Sequence, residues 1–193
     1  KREVIKMGWN EVERTNESKQ EGKVPYTKFE AGATTIRILD NEPYSFWQHW
    51  LPTQNTSVVC MGKGCPICSV IAEEKANKVI NKKYSSTQRH AIRIWNYKTN
   101  QMEVMIQGKN FFSQLLTLHR EVGDITTYDI KVIRSGEGKE TAYTILPSAP
   151  SEFEIKEGIE EVNMEELFKA PEKDVILQLM EGKSYAEIYG NNE

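Results

Sequence analysis

Cysteine and histidine are scarce in this chain of 193 residues, three of each, and long hydrophobic runs and low-complexity tracts are absent. Each shortage excludes something. No apolar run approaches the ~20 residues a membrane-spanning helix needs, so no membrane span is expected. The opening Lys1-Arg2-Glu3 lacks the apolar core of a signal peptide, and a soluble, intracellular protein is expected. Because the chain opens on Lys1 and not on methionine, a short piece is expected to precede it. Three cysteines cannot all pair, which argues against an extracellular disulfide framework. There is no His-Glu-x-x-His, no phosphate-cradling P-loop and no dinucleotide glycine fingerprint, so the commonest metalloprotease, nucleotide and redox-cofactor chemistries have no foothold.

What is present is concentrated. Cys60, Cys65 and Cys68 fall within nine residues, with His49 just upstream. Cysteine and histidine at short loop spacings are what a tetrahedral structural zinc site requires, and Cys65-Pro66-Ile67-Cys68 has the spacing of a tight thiolate chelate. Gly62 and Gly64 let the chain turn between Cys60 and that arm. One structural Zn2+ per chain is therefore expected on His49, Cys60, Cys65 and Cys68. His90 is the competitor for the fourth position, and buried free thiols are the plainer alternative.

Charge is divided along the chain. Residues 151–193 carry 12 acidic and 4 basic residues, whereas 1–150 carry 16 acidic and 21 basic. A basic body with an acidic tail is an asymmetry found in proteins that bind polyanions, although a solvated acidic helix produces the same counts.

Periodicity organises the rest. Residues 1–28 are polar, with Trp9 the one large anchor, and read as an extended lead-in. Thr35–Leu39 alternates like a strand, and Asp40–Pro43 turns. Tyr44–Leu51 is extended and Ser57–Cys60 is its returning partner, so the zinc subdomain covers about 44–84. Ser69 to about Tyr84 has a helical pattern, with Ala72, Ala76, Val79 and Ile80 on one face. His90–Tyr97 and Met102–Gln107 form a hairpin, and Asn110–Glu121 is a second helix. Tyr128–Arg134 and Thr141–Leu146 flank the glycine-rich loop Ser135–Lys139. Pro147 and Pro150 mark a boundary, beyond which an acidic, partly helical tail runs from 151 to 193, with helices at Met164–Lys169 and Asp174–Glu181. The core is then 29–150. Its short antiparallel strands with inserted helices predict a mainly β fold. A five-stranded oligonucleotide-binding (OB) barrel with a zinc-binding loop fits the count, and an open α+β sheet is equally tolerated.

The alternation also sorts chemistry by face. In His90–Tyr97, Ile92 and Ile94 point one way and Arg93, Trp95 and Tyr97 the other. Flat rings beside a guanidinium suit single-stranded nucleic acid, whose bases stack at about 1–3 kcal/mol each while cations meet the phosphates. A second core is the plainer alternative. Further candidates for such a groove are Lys82, Lys83, Arg89, Lys131, Arg134 and Tyr143, with Tyr44 and Trp50 from the aromatic cluster that also contains Phe46 and Trp47. Catalysis has less support. The Pro-Cys-x-x-Cys arm of zinc deaminases is matched only loosely, since the proline here follows Cys65. The accompanying His-x-Glu occurs only as His119-Arg120-Glu121, after the cysteines. Four protein ligands would leave no open position on the metal.

Together, His49-Trp50, Cys60…Cys65-Pro66-Ile67-Cys68, the Lys-rich helix that follows, and the hairpin around Gly136-Glu137-Gly138 resemble the zinc-containing single-stranded DNA-binding proteins of tailed phages, the family of the T4 helix-destabilising protein. The likeness covers roughly residues 28–150. It implies an OB barrel with a zinc subdomain, zinc on His49, Cys60, Cys65 and Cys68, and binding of single-stranded DNA without strong sequence preference. The implied setting is replication, recombination and repair in the cytoplasm of a bacterial host, with the acidic C-terminus contacting replication proteins. The compact basic N-terminal motif of that family is not evident here, and the apolar stripes in the tail point to docking. A zinc-stabilised adaptor for a replication or transcription protein is the competing expectation.

Overall fold

The computed structural model describes residues 24–154, 159 and 161–190. Seven strands form one antiparallel sheet: β1 (Gly32–Ile38), β2 (Tyr44–Leu51), β3 (Thr56–Val59), β4 (Ser85–Asn96), β5 (Gln101–Gly108), β6 (Tyr128–Ser135) and β7 (Ala142–Pro150). Among the described residues five α-helices accompany it, α1 (Pro66–Ala76), α2 (Lys109–Val122), α3 (Met164–Leu167), α4 (Lys173–Met180) and α5 (Tyr185–Tyr189), with a 3-10 turn at Gly138–Glu140. Among the described residues no helix is long and apolar enough to cross a membrane.

The strand order is β3-β2-β4-β1-β6-β7, with β5 on the other edge of β4. β4 is the hub. Its first half, Ser85–Ala91, pairs with β2, and its last residues, Ile94–Asn96, pair with β1. β5 runs beside Arg89–Asn96 on the opposite edge. The sheet is open: among the described residues no rung joins β5 to β7, so the pairing is not that of a closed five-stranded barrel. Part of the reason lies in the lead-in. Tyr26 makes a parallel bridge to Val104, with Thr27 N–H donating to the Val104 carbonyl and Val104 N–H to that of Pro25, at 3.0 and 2.8 Å. Those bonds occupy the edge of β5 that closure would use.

Three apolar clusters hold the elements together. The largest lies between the sheet and α2, where Ile36, Ile38, Ile92, Ile94, Met105, Ile130 and Val132 meet Phe111, Phe112 and Leu115. The second fills the metal lobe: Leu51, Val58, Ile67 and Tyr84 pack against Ile176 and Leu179 of α4. The third lies on the opposite face of the sheet, where Phe168 covers Phe46, Ala91 and Val104. Among its described residues the tail therefore docks at Phe168, Ile176 and Leu179. Its apolar stripes are buried within the chain, as their spacing predicted.

The first helix begins and ends earlier than its periodicity predicts. It starts at Pro66, because proline suits the first helical position and Cys65 takes the cap. It ends at Ala76 in a Schellman closure. Val79 N–H donates to the Glu74 carbonyl at 2.9 Å and Lys78 N–H to that of Lys75 at 3.2 Å, with Lys78 left-handed at φ +53°. Residues 79–84 are then irregular, Lys83 N–H is held by the Glu74 carboxylate at 2.9 Å, and β4 starts five residues earlier than the pattern from His90 implied.

Candidate metal centre and nucleic-acid face

Four segments converge on one point. His49 comes from β2, Cys60 from the end of β3, Cys65 from the cap of α1 and Cys68 from its first turn. Cys60 is fixed by its N–H donating to the Trp47 carbonyl at 2.8 Å, and the loop then turns through Gly62 and Gly64, at φ +75° and +80°. Side chains are strongly disfavoured at both dihedrals. The Gly62 N–H points back at Cys60 Sγ, 3.3 Å away.

The ligand atoms of His49, Cys60, Cys65 and Cys68 all lie within 4.8 Å of one another. Cys60 Sγ and Cys68 Sγ are 3.5 Å apart, and His49 Nε2 is 3.5 Å from the sulfurs of both Cys65 and Cys68. Zinc–sulfur bonds of ~2.3 Å and zinc–nitrogen bonds of ~2.0 Å at tetrahedral angles give edges of about 3.5–3.8 Å, so the donor set fits such an ion. The four residues can hold a metal ion, and the set is compatible with a structural zinc. His49 fills the fourth position, and His90 instead donates to or accepts from Ser45 Oγ at 2.7 Å.

The electrostatics match. Burial pushes the His49 imidazole below its usual range, an effect the Ser85 backbone partly offsets, which keeps the ring neutral and available as a ligand. Its buried Nδ1 makes no hydrogen bond of good geometry among the described residues, so the Ser85 backbone acts on the ring only as a poorly aligned acceptor. Burial, followed by the neighbouring Cys60 and Cys65 sulfurs, pushes the Cys68 thiol up to about 12. A cation at this point would invert the penalty on a Cys68 thiolate.

Of the residues expected to meet nucleic acid, some are brought together. Trp50, 41 % exposed, lies with Lys82, Lys83 and Tyr84 around a groove of about 420 Å³ beside the metal lobe. Lys83 Nζ sits 5.1 Å from the centre of the Tyr84 ring. Lys131 is exposed on β6, and Arg134 reaches Thr141 Oγ1 at 3.5 Å. Arg89 is half-buried, its guanidinium against Gly108.

The others are placed differently: Trp95, Tyr44 and Tyr143 are packed away, Arg93 is paired, and Tyr97 stays exposed. Trp95 is 3 % exposed and beyond the reach of a base, because residues 151–154 pass over it and Phe153 lies 6.4 Å from its ring. Arg93 is held by the Asp40 carboxylate through Nε at 2.8 Å and Nη2 at 2.6 Å. Tyr97 keeps an exposed ring but donates its hydroxyl to Asp129 at 3.0 Å. Tyr44 is stacked under Phe168, 5.9 Å away at 15°. Tyr143 packs into the main core, edge-on to Phe29 and Phe111. The strand parity was right, and the plainer alternative of a second core applies to Trp95, whereas Tyr97 on the same side stays exposed.

Three residues outside the expected set matter. Arg37, 2 % exposed, bonds Asp129 at 2.7 Å, the Ser151 hydroxyl at 2.7 Å and the carbonyls of Thr126 and Ser151, with its Cζ 5.3 Å from the Phe153 ring. Tyr84 forms the floor of the Trp50 groove. Trp47 is 51 % exposed, and parity was no guide to it, since His49 two residues on is fully buried. Comparison with family models, with curated protein sequences and with solved structures finds no match.

Proposed function

We propose that this chain binds single-stranded DNA, coating and protecting it without strong sequence preference and without catalysing a reaction. The setting we infer is replication, recombination and repair of a phage in its bacterial host. The observation that carries the proposal is the groove at Trp50. An exposed indole faces two lysines, which pairs a stacking platform with phosphate neutralisation. The strand path adds support. β1, β4, β5, β6 and β7, with α2 between β5 and β6, follow the route of a partly open oligonucleotide-binding barrel, whose loop after its first strand is a binding loop. Here that loop is the metal lobe, and zinc on His49, Cys60, Cys65 and Cys68 would brace it. Four protein ligands leave the ion no position for water, which fits a structural role. Those residues would hold the zinc, and His49 adjoins Trp50 in β2.

The test is a fluorescence titration with oligo-dT. Trp50→Ala should weaken binding by about 5–150-fold, the equivalent of one stacked base. Lys82→Ala with Lys83→Ala should reduce the salt slope by about 1.4, two counterions on a single strand. Unchanged affinity and slope in both variants would sink the assignment. A protein-partner reading rests on one observation, Ile80 at 94 % exposure beside Val79; a wild-type chain that leaves oligo-dT unbound would favour it. The tail helices support it less, since Ile176 and Leu179 of α4 are buried.

A further inference from the structure

On the sheet face opposite the tail, a half-open cleft of about 700 Å³ lies between α2, β2, β4 and the turn after β1. Its volume is in the range of small-molecule sites. Register defines its walls. Ser45 pairs with His90 and Trp47 with Gln88, so these four side chains share one face of adjacent strands. Ser45 Oγ and His90 Nδ1 are 2.7 Å apart, and the His90 ring lies 5.1 Å from that of Phe112, tilted by 44°. Across the cleft, α2 presents Phe112, Leu115 and Leu116.

We propose that this cleft binds a neutral, planar heteroaromatic ring of the nucleobase class, with Trp47 at its mouth. Three features choose that chemistry. One wall is apolar and aromatic, while the other is a row of hydroxyl, amide and imidazole groups. An acyl chain would leave that row desolvated and unpaired, whereas a flat ring with a polar edge satisfies both walls. The rim carries Lys109 and His119 but also Glu42 and Asp124, so neither a cation nor an anion is favoured by charge. Trp47, half exposed on the same face, continues the aromatic lining outward. Burial holds the His90 pKa below its usual range, so at neutral pH the ring offers one donor and one acceptor, and the Ser45 hydroxyl engages one of them. The pair is not arranged for nucleophilic catalysis, since among the described residues no carboxylate orients His90.

The ring could belong to a free nucleoside or to a base in a strand, and the site differs from the Trp50 groove. The zinc-loaded full chain, 15N-labelled, is titrated with thymidine, adenosine, 1-hexanol and oligo-dT. Expected are saturable shifts at Gln88, His90 and Phe112 with a nucleoside, and a loss of at least about tenfold in affinity in Leu116→Trp. Leu116 is 47 % exposed, so the larger ring can fill the cleft without disturbing the core, and unchanged spectral dispersion verifies the fold. If strands are the source, oligo-dT displaces the nucleoside; if free nucleosides are, it does not. No nucleoside shift up to ~10 mM, equal binding in Leu116→Trp, or tighter binding of hexanol would overturn the proposal. Oligo-dT binding that depends on Trp50 but leaves the cleft silent would overturn the cleft alone, whereas nucleoside binding without oligo-dT binding would overturn the strand-binding function alone.

Discussion

The two faces of β4 invite comparison. Even-numbered Ile92 and Ile94 sit under α2, whereas odd-numbered Ala91 sits under Phe168 and Trp95 beside Phe153. Both faces are buried, yet by covers of different kinds. α2 follows β5 directly and lays a strongly amphipathic stripe on the sheet. The other cover arrives more than fifty residues after β4, and its described contacts are few and large. Phe168 stacks on Phe46 at 4.3 Å and 17°, and Arg37 gathers Asp129, Ser151 and Phe153. The first cover is made by local amphipathicity. The second depends on a handful of long-range anchors, each of which can be removed singly.

The largest test addresses the candidate metal site. Structural zinc contributes an apparent ~10 kcal/mol or more in small domains, so if zinc occupies His49, Cys60, Cys65 and Cys68, chelation or Cys65→Ser should melt the metal lobe together with α4, which packs into it. Hydrogen exchange should then rise across α1 and α4 while the α2 face stays protected. Equal loss on both faces would show that the two covers fold as one unit. Metal uptake also has a defined sign with pH. The Cys68 thiol, raised to about 12, gives the metal-free fold a stabilisation that is complete below the ordinary thiol range and fades as pH rises toward 12. At neutral pH a zinc ion entering the site would therefore displace protons, and its affinity should strengthen as pH rises. Uptake heats measured in two buffers of different ionisation enthalpy give the proton count.

Arg37→Met comes next. Removing one partner of a buried pair costs about 3–5 kcal/mol, and Asp129 is three-quarters covered, so the lower end is expected in a denaturant midpoint. Phe168→Ala should cost about 3 kcal/mol and expose the Phe46 and Tyr44 rings to quenchers. A loss below ~1 kcal/mol would mean that the tail face is only loosely covered. The smallest change is a gain: Lys78→Gly should add about 0.5–1 kcal/mol, since a lysine now occupies a left-handed position.

Lys78 also shows where sequence reading stops. A glycine there would have announced the end of α1, but the Schellman closure formed on lysine, and the apolar pattern through Val79 and Ile80 carried the expected helix past its stop. The strands were legible because alternation is a local property: Ile36, Ile38, Ile92 and Ile94 fall where a period of two puts them. The metal cluster was legible for a similar reason, as Cys60, Cys65 and Cys68 are close in the chain before they are close in space. Trp95 was assigned the correct face and the wrong exposure. Parity states which side a residue faces, and nothing local in β4 records that Phe153 will lie there. Tyr143 fails in the same way, because its neighbours Phe29 and Phe111 come from distant parts of the chain.

β4 has a mechanical consequence. Twelve residues at about 3.3 Å each make a beam about 40 Å long. One edge is bolted first to β2, in the metal lobe, and then to β1, in the main sheet, while β5 braces the other. A load applied near Trp50 enters that beam at Ser85 and is carried in shear toward Asn96, where Asn96 and the buried Glu103 are tied at 3.0 Å. Lobe and sheet thus share a spar where a hinge would otherwise sit, and a strand pulled at one end is felt at the other.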